Sequence, residues 1–292
     1  MSNLFNVLRR ENAIDLSDIC QEQTDEAQYA PSPVAELANP PARAGAPCRI
    51  ERVRVSASAP LFPFEHENHA AAEQYRLIRT KILHSPKKPR LLLVSSACSG
   101  DGKTVTSINI AASLALNRQS SVLLADADLR RPRISSELGI PAAPGLSEVI
   151  SGYATLDDAL VRAEQFPNLY ILPAGNVVEN PAELFDSDGW RRMAEQMRSR
   201  FDTVVLDAIP AATVADYDLL QIVCDAIVLV VRPDRTDRNA FTKLLETVPK
   251  DKLLGVVLNG VEDWLLWKTP AYGYYNKLPH AVTKQGGRHS SL

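Results

Sequence analysis

Long hydrophobic runs are missing from this 292-residue chain. No stretch approaches the ~18 consecutive apolar residues of a membrane-spanning helix. The opening MSNLFNVLRRENAIDL also lacks the apolar core and cleavage site of a secretory leader, so the cytoplasm is the expected compartment. Cysteine is sparse: Cys20, Cys48, Cys98 and Cys224 are scattered without metal-ligand spacing and read as reduced thiols. Of these, Cys98 lies in a loop where oxidation would matter. Excess positive charge is missing too, since 32 Lys and Arg face 35 Asp and Glu for a net charge of -3. That balance argues against a dedicated nucleic-acid binder. Internal repeats are absent. What remains is a chain with 45% hydrophobic residues, long enough for one large α/β domain with a tail or for two small domains.

Residues 1–60 differ from the rest. A short amphipathic segment from Leu4 to Leu16 is followed by an acidic-polar stretch from Asp18 to Glu26, then by the Ala/Pro-rich APSPVAELANPPARAGAP. This reads as a flexible N-terminal extension and linker, whose first segment is either a docking element or a frayed end. The alternation of Ile50 to Val55 suggests an added edge strand. Ala70 to Leu83 is helical in pattern, with Tyr75, Ile78 and Ile82 on one face. From residue 91 onward, apolar strands are expected at 91–94, 122–125, 169–172, 204–206, 226–231 and 254–258. Helices are expected at 104–117, 181–199, 213–222 and 237–247. Strands so evenly apolar need cover on both faces, which predicts an α/β fold with a mostly parallel sheet flanked by helices on both faces. The domain is expected to span 61–262, and a tail of residues 263–292 ends in polar GGRHSSL.

The run Ala97-Cys98-Ser99-Gly100-Asp101-Gly102-Lys103-Thr104 sits between the first of these strands and a helical pattern. A strand feeding a glycine-rich turn that opens a helix is the phosphate-binding loop of P-loop NTPases. Backbone N–H groups wrap the phosphates, Lys103 reaches the terminal ones, and the Thr104 hydroxyl sits on Mg²⁺. Ser99, Gly100, Asp101, Gly102, Lys103, Thr104 and Thr106 are therefore assigned to the nucleotide, with ATP and Mg²⁺ as the expected ligands.

Ligands in such sheets bind beyond the carboxyl ends of the strands. The second strand delivers Asp126 and Asp128 there, pointing the same way by alternation. They suit Mg²⁺, its water, or a proton leaving a nucleophile. Arg130 is read as pairing with phosphate or with a neighbouring carboxylate. A later strand ends at Asp207, the expected carboxylate behind Thr104 and the metal. Thr104, Asp126 and Asp207 thus form the candidate metal set, and Lys103, Asp126, Asp128 and Asp207 the catalytic one. Asp225, at the opposite end, reads as a structural cap; Asp216 stays open. Asn259, at the end of the last strand, is a candidate reader of a purine edge, and the stretch from Arg232 to Thr236 borders the base or a partner.

With these residues in order, the chain closely resembles the bacterial tyrosine kinases of capsule and exopolysaccharide synthesis, relatives of the MinD/ParA ATPases. Asp126, Asp128, Arg130 and Pro132 match that family's Asp-x-Asp-Leu-Arg-x-Pro segment, and Asp207 its later carboxylate strand. Glu73, Arg76 and Arg79 match a Glu-x-x-Arg-x-x-Arg motif that in the family mediates ring-like self-association; spacing alone reads as a solvated helical face. Tyr272, Tyr274 and Tyr275 stand where the family carries phosphoacceptor tyrosines, while composition alone reads them equally as packing. The resemblance implies an ATP-dependent tyrosine autokinase regulating polysaccharide polymerisation and export, activated by a membrane co-polymerase that recruits it to the inner face of the plasma membrane. A tyrosine phosphatase is a further implied partner. Departures are Ser99 in place of Pro, and Ala208-Ile209-Pro210 in place of Thr-Pro-Pro. Cys98 occupies the place of the second lysine of MinD/ParA relatives, against a partitioning ATPase. The rival readings are a regulatory ATPase with weak kinase activity and a nucleotide-binding scaffold.

Overall fold

The computed structural model describes residues 48–55, 69–117, 119–211 and 215–261. The expectations for residues 1–47 and for Tyr272, Tyr274 and Tyr275 fall outside them. The centre is an eight-stranded sheet: β1 (Arg49–Glu51), β2 (Leu91–Ser96), β3 (Val122–Asp126), β4 (Val161–Ala163), β5 (Leu169–Leu172), β6 (Thr203–Asp207), β7 (Ala226–Val231) and β8 (Leu253–Leu258). The strands lie in the order β1-β4-β5-β3-β6-β2-β7-β8. Neighbours run parallel throughout, except β4 against β5.

The unbroken apolar strands follow from two cores, one on each face. Leu91 and Leu93 of β2 enter one core, Leu92 and Val94 the other; β3 divides Leu123 and Ala125 from Val122 and Leu124 in the same way. A strand buried on both faces leaves little room for polar side chains, and those of β2, β3 and β6 stand only at the strand ends. Helices α1 (His69–Leu83), α2 (Lys103–Ala115) and α3 (Ile134–Leu138) cover one face. The other is covered by α4 (Leu146–Ile150), α5 (Leu156–Ala159), α6 (Pro181–Asp186), α7 (Asp188–Arg200), α8 (Asp216–Val223) and α9 (Arg238–Thr247). The helix expected over 181–199 is two helices. Ser187 turns extended (φ -75°, ψ 157°) and its hydroxyl accepts from the Trp190 N–H, capping α7. The cap seats Trp190, fully buried, edge-on against Phe185 at 5.2 Å.

Two strands differ from expectation. β4, three residues long, carries Arg162 amid Val161 and Ala163 and gives no run to detect. β1 (Arg49–Glu51) overlaps the alternating 50–55 segment only at Ile50 and Glu51, yet it pairs with β4, so the sheet draws on residues ahead of position 61. Among the described residues no helix is long and apolar enough to cross a membrane.

This topology sets the site. β6 lies between β2 and β3, with Val94 and Asp126 both registered on Asp207. β3 and β6 therefore end level and β2 two residues further on, and the loops after them converge on one crevice.

Candidate active site at the carboxyl ends of the strands

The loop after β2 is built from hydroxyls and glycines. Ser95 Oγ donates to the Ile209 carbonyl at 2.6 Å and Ser96 Oγ to the Cys98 carbonyl at 2.7 Å, fixing the strand end. Gly100 (φ +87°) and Gly102 (φ +92°) then take the left-handed conformation that lets the backbone curl. A side chain at Gly102 would collide with the Asn259 amide, and one at Gly100 would come within 2.7 Å of the Arg235 guanidinium. Ser99 stands exposed at the tip.

Asp101 turns inward. Fully buried, it accepts from the Cys98 N–H at 2.9 Å and from Thr236 Oγ1 at 2.8 Å. Its side chain braces the loop from below. Asn259 Nδ2 donates to the Asp101 carbonyl at 2.9 Å, so in this structure that amide supports the loop. Thr106 is fully buried in α2, its hydroxyl toward the phenol of Tyr75, which burial pushes up to about 12.

Lys103 begins α2, and its Nζ donates to Asp128 Oδ2 at 2.8 Å, both side chains buried. Burial opposes the ammonium charge, but Asp207, Asp128 and Asp126 outweigh it and hold Lys103 above the usual lysine range. Asp126 and Asp207, paired across β3 and β6, are fully buried. Burial, and then repulsion from Asp207, pushes the Asp126 carboxyl up, although its oxygens accept from the N–H groups of Asp128, Arg133 and Ile134. Asp126 thus cinches the Asp128–Ile134 turn as well as facing Asp207. Burial likewise raises Asp207 against the pull of Lys103 and of the Thr104 and Ser107 hydroxyls. Ser107 Oγ donates to its Oδ1 at 3.0 Å, while Oδ2 is buried without a hydrogen-bond partner.

Arg130 is drawn elsewhere. Its guanidinium forks onto Asp216 at 2.7 and 3.0 Å, pinning the loop after β3 to the start of α8. The structure thus selects the carboxylate alternative and gives Asp216 a role. Asp225 receives the N–H groups of Arg90 and Leu91 and the Arg198 guanidinium, a structural clamp at the far end of β2. Glu73 and Arg76 form an exposed 2.9 Å ion pair on α1, and Arg79 reaches the Ser113 carbonyl of α2. These three are set apart from the strand-end crevice. Ser107, one turn beyond Lys103 on the same helix face, is a residue not anticipated; Thr236 lies in the stretch expected to border the base or a partner, but its hydroxyl serves Asp101, 135 positions earlier.

Three carboxylates surround one ammonium, and one buried carboxylate oxygen is orphaned. That excess of negative charge fits a hard cation. Among the described residues no group of three or more His, Cys, Asp and Glu side chains forms a ready-made cage. A cation here would rest on Thr104 and Asp207, and the rest of its shell would come from phosphate and water oxygens, the usual pattern for Mg²⁺. The curled loop with Lys103 at a helix N-terminus fits a nucleotide phosphate chain.

Known proteins agree with this geometry. Residues 90–253, more than half of the chain, match the AAA domain family AAA_31. The tyrosine-protein kinase YwqD of Bacillus subtilis (strain 168) is 35% identical over 217 residues, 73% of this chain and 90% of that protein. The tyrosine-protein kinase CpsD of Streptococcus agalactiae is 32% identical over 206 residues, covering 70% of this chain and 87% of the relative. The crystal structure of the VpsO kinase domain superposes with a TM-score of 0.58 at 29% identity, covering 68% of this chain and all of that domain. Identity sustained over nine tenths of YwqD is not a matter of the phosphate loop alone: this chain is a member of the bacterial tyrosine-protein kinase family.

Proposed function

We propose that this kinase transfers the γ-phosphoryl group of ATP to tyrosine hydroxyls of its own tail, Tyr272, Tyr274 and Tyr275, on a neighbouring copy. In doing so it regulates the polymerisation and export of a capsular or extracellular polysaccharide. The observation that carries the reading is the buried contact between Lys103 and Asp128 at the mouth of the loop. A phosphate chain in the cradle competes for the Lys103 ammonium. Lys103 and the loop N–H groups then stabilise charge on the phosphate oxygens. Released from Lys103, Asp128 Oδ2 becomes free to accept the phenolic proton. A bond forms from the phenol oxygen to the γ-phosphorus as the bond to the β–γ bridging oxygen breaks, and ADP departs with that oxygen. Thr104 and Asp207 would hold Mg²⁺, with Asp126 beside them. When bound, the ion supplies charge neutralisation along the phosphates.

Glu73, Arg76 and Arg79 on α1 supply the surface for self-association, in which the tail of one copy meets the crevice of the next. Each phosphate adds about -1.5 to -2 charges and opposes that association through repulsion. A membrane co-polymerase recruits the kinase to the inner face of the plasma membrane and activates it, and a tyrosine phosphatase resets the tail.

Mass spectrometry of the tail after incubation with ATP and magnesium tests the reading. Phosphate is expected on the three tyrosines of the native chain and absent from Lys103→Met. A second reading, a regulatory ATPase, draws on Ala208 and Ile209, both buried and apolar behind Asp207. It predicts nucleotide turnover with no protein phosphate; a scaffold predicts binding without turnover.

A further inference from the structure

β8 is the edge strand of the sheet, and its sequence Leu-Leu-Gly-Val-Val-Leu contains no polar side chain. The equally apolar β7, Ala-Ile-Val-Leu-Val-Val, is buried at five of its six positions, yet no residue of β8 is. Val256 and Leu258 are 43% and 56% exposed, and Val261, just beyond, 43%. Register assigns Val256 to the face of Leu229 and Gly255 to the face of Val228, which belong to opposite cores. A side chain at Gly255 would meet nothing within 4 Å. Leu254 and Val257 pack partly against one core, but Val256 and Leu258 on the Leu229 face lack cover, and neither Lys, Pro nor an inward charge blunts the edge, as exposed edges usually require. Contiguous apolar surface of this kind marks a contact.

The chain itself carries a matching segment. Three residues past Val261, Trp264-Leu265-Leu266-Trp267 places four large apolar side chains in a row, bounded by Glu262-Asp263 and Lys268. The six steps from Leu258 to Trp264 reach at most about 20 Å, the length of a six-residue strand, so the tetrad can meet any part of β8. Two indoles and two leucines left in water would be costly, as would the bare strand, and one contact relieves both. We infer that Trp264–Trp267 folds back on β8 and covers Val256 and Leu258, so that the tail is rooted on the sheet edge and only the residues from Lys268 onward reach out.

Tryptophan emission of the full chain tests this, because Trp190 is fully buried and Trp264 and Trp267 are the other two tryptophans. Acrylamide should quench the native protein little more than the Trp264→Phe/Trp267→Phe variant, which reports Trp190 alone. Val256→Asp/Leu258→Asp should raise quenching several-fold and shift emission to the red, with circular dichroism unchanged. If that variant fails to fold, amide exchange in Trp264→Ser/Trp267→Ser replaces it, and β8 should exchange several-fold faster than in the native chain. The inference is overturned if the two tryptophans quench like free indole in the native protein. It is also overturned if neither β8 protection nor quenching responds to the variants. Protection lost on dilution would assign β8 to a second copy and overturn it as well.

Discussion

The Lys103 ammonium lies 2.8 Å from Asp128 Oδ2, so the residue that must grip phosphate is already held by the residue proposed to take the proton. Each keeps the other's charge compensated in a buried site, and each must release the other for the reaction to begin.

Removing one partner strands the other. Lys103→Met should destabilise the nucleotide-free protein by about 3–5 kcal/mol, the usual effect of an uncompensated buried charge. Lys103→Met/Asp128→Asn should recover most of that loss in denaturant unfolding, whereas purely additive effects would mean that the pair is not coupled.

Asp128→Asn alone should separate binding from chemistry. Nucleotide affinity measured with a fluorescent analogue should hold or rise, because Lys103 is freed. Tail phosphorylation should fall by about 10²–10⁴-fold, the range for loss of a general base. A parallel fall in both would make Asp128 a binding residue.

Arg130 is expected to matter for stability. Asp216 is buried and would lose its bidentate partner in Arg130→Ala, but the guanidinium is 43% exposed, which screens the pair. A loss of about 1–2 kcal/mol is expected, with little change in nucleotide affinity. A tenfold drop in affinity would return Arg130 to the phosphates.

Thr236 supports the loop through Asp101 without facing its mouth. Thr236→Val leaves a buried carboxylate oxygen short of a donor, costing about 1–3 kcal/mol. Nucleotide binding should weaken accordingly in calorimetry, with the chemical step per bound nucleotide preserved.

Binding of Mg²⁺ with nucleotide should release protons. Burial raises both Asp126 and Asp207, and repulsion from Asp207 adds to Asp126, so the free pair holds protons that a cation displaces. Affinity should therefore climb with pH between the ordinary carboxyl value of 3.8 and about 8. A raised folded value stabilises the free protein fully below the ordinary one, and that contribution is lost across the same window. Calorimetry in buffers of different ionisation enthalpy reads the release; equal heats in all buffers would refute it.

Much of this site is legible in the letters because local chemistry sets it. The glycines at 100 and 102 occupy left-handed positions, and strands that feed two cores have to read as unbroken apolar runs. Asp126 and Asp207 end such runs and so end at the crevice. The partnerships are another matter. Arg130 finds Asp216 86 positions away, and Asp101 finds Thr236 across 135, contacts that only the assembled sheet brings together. β4 was hidden for a different reason: three residues paired between two other strands need no hydrophobic period of their own.

Asn259 touches the phosphate loop at the point where the chain leaves the sheet. Its backbone N–H is bound to the Val231 carbonyl, so this exit is itself anchored. One residue therefore ties the end of the last strand both to its neighbour in the sheet and to the nucleotide cradle.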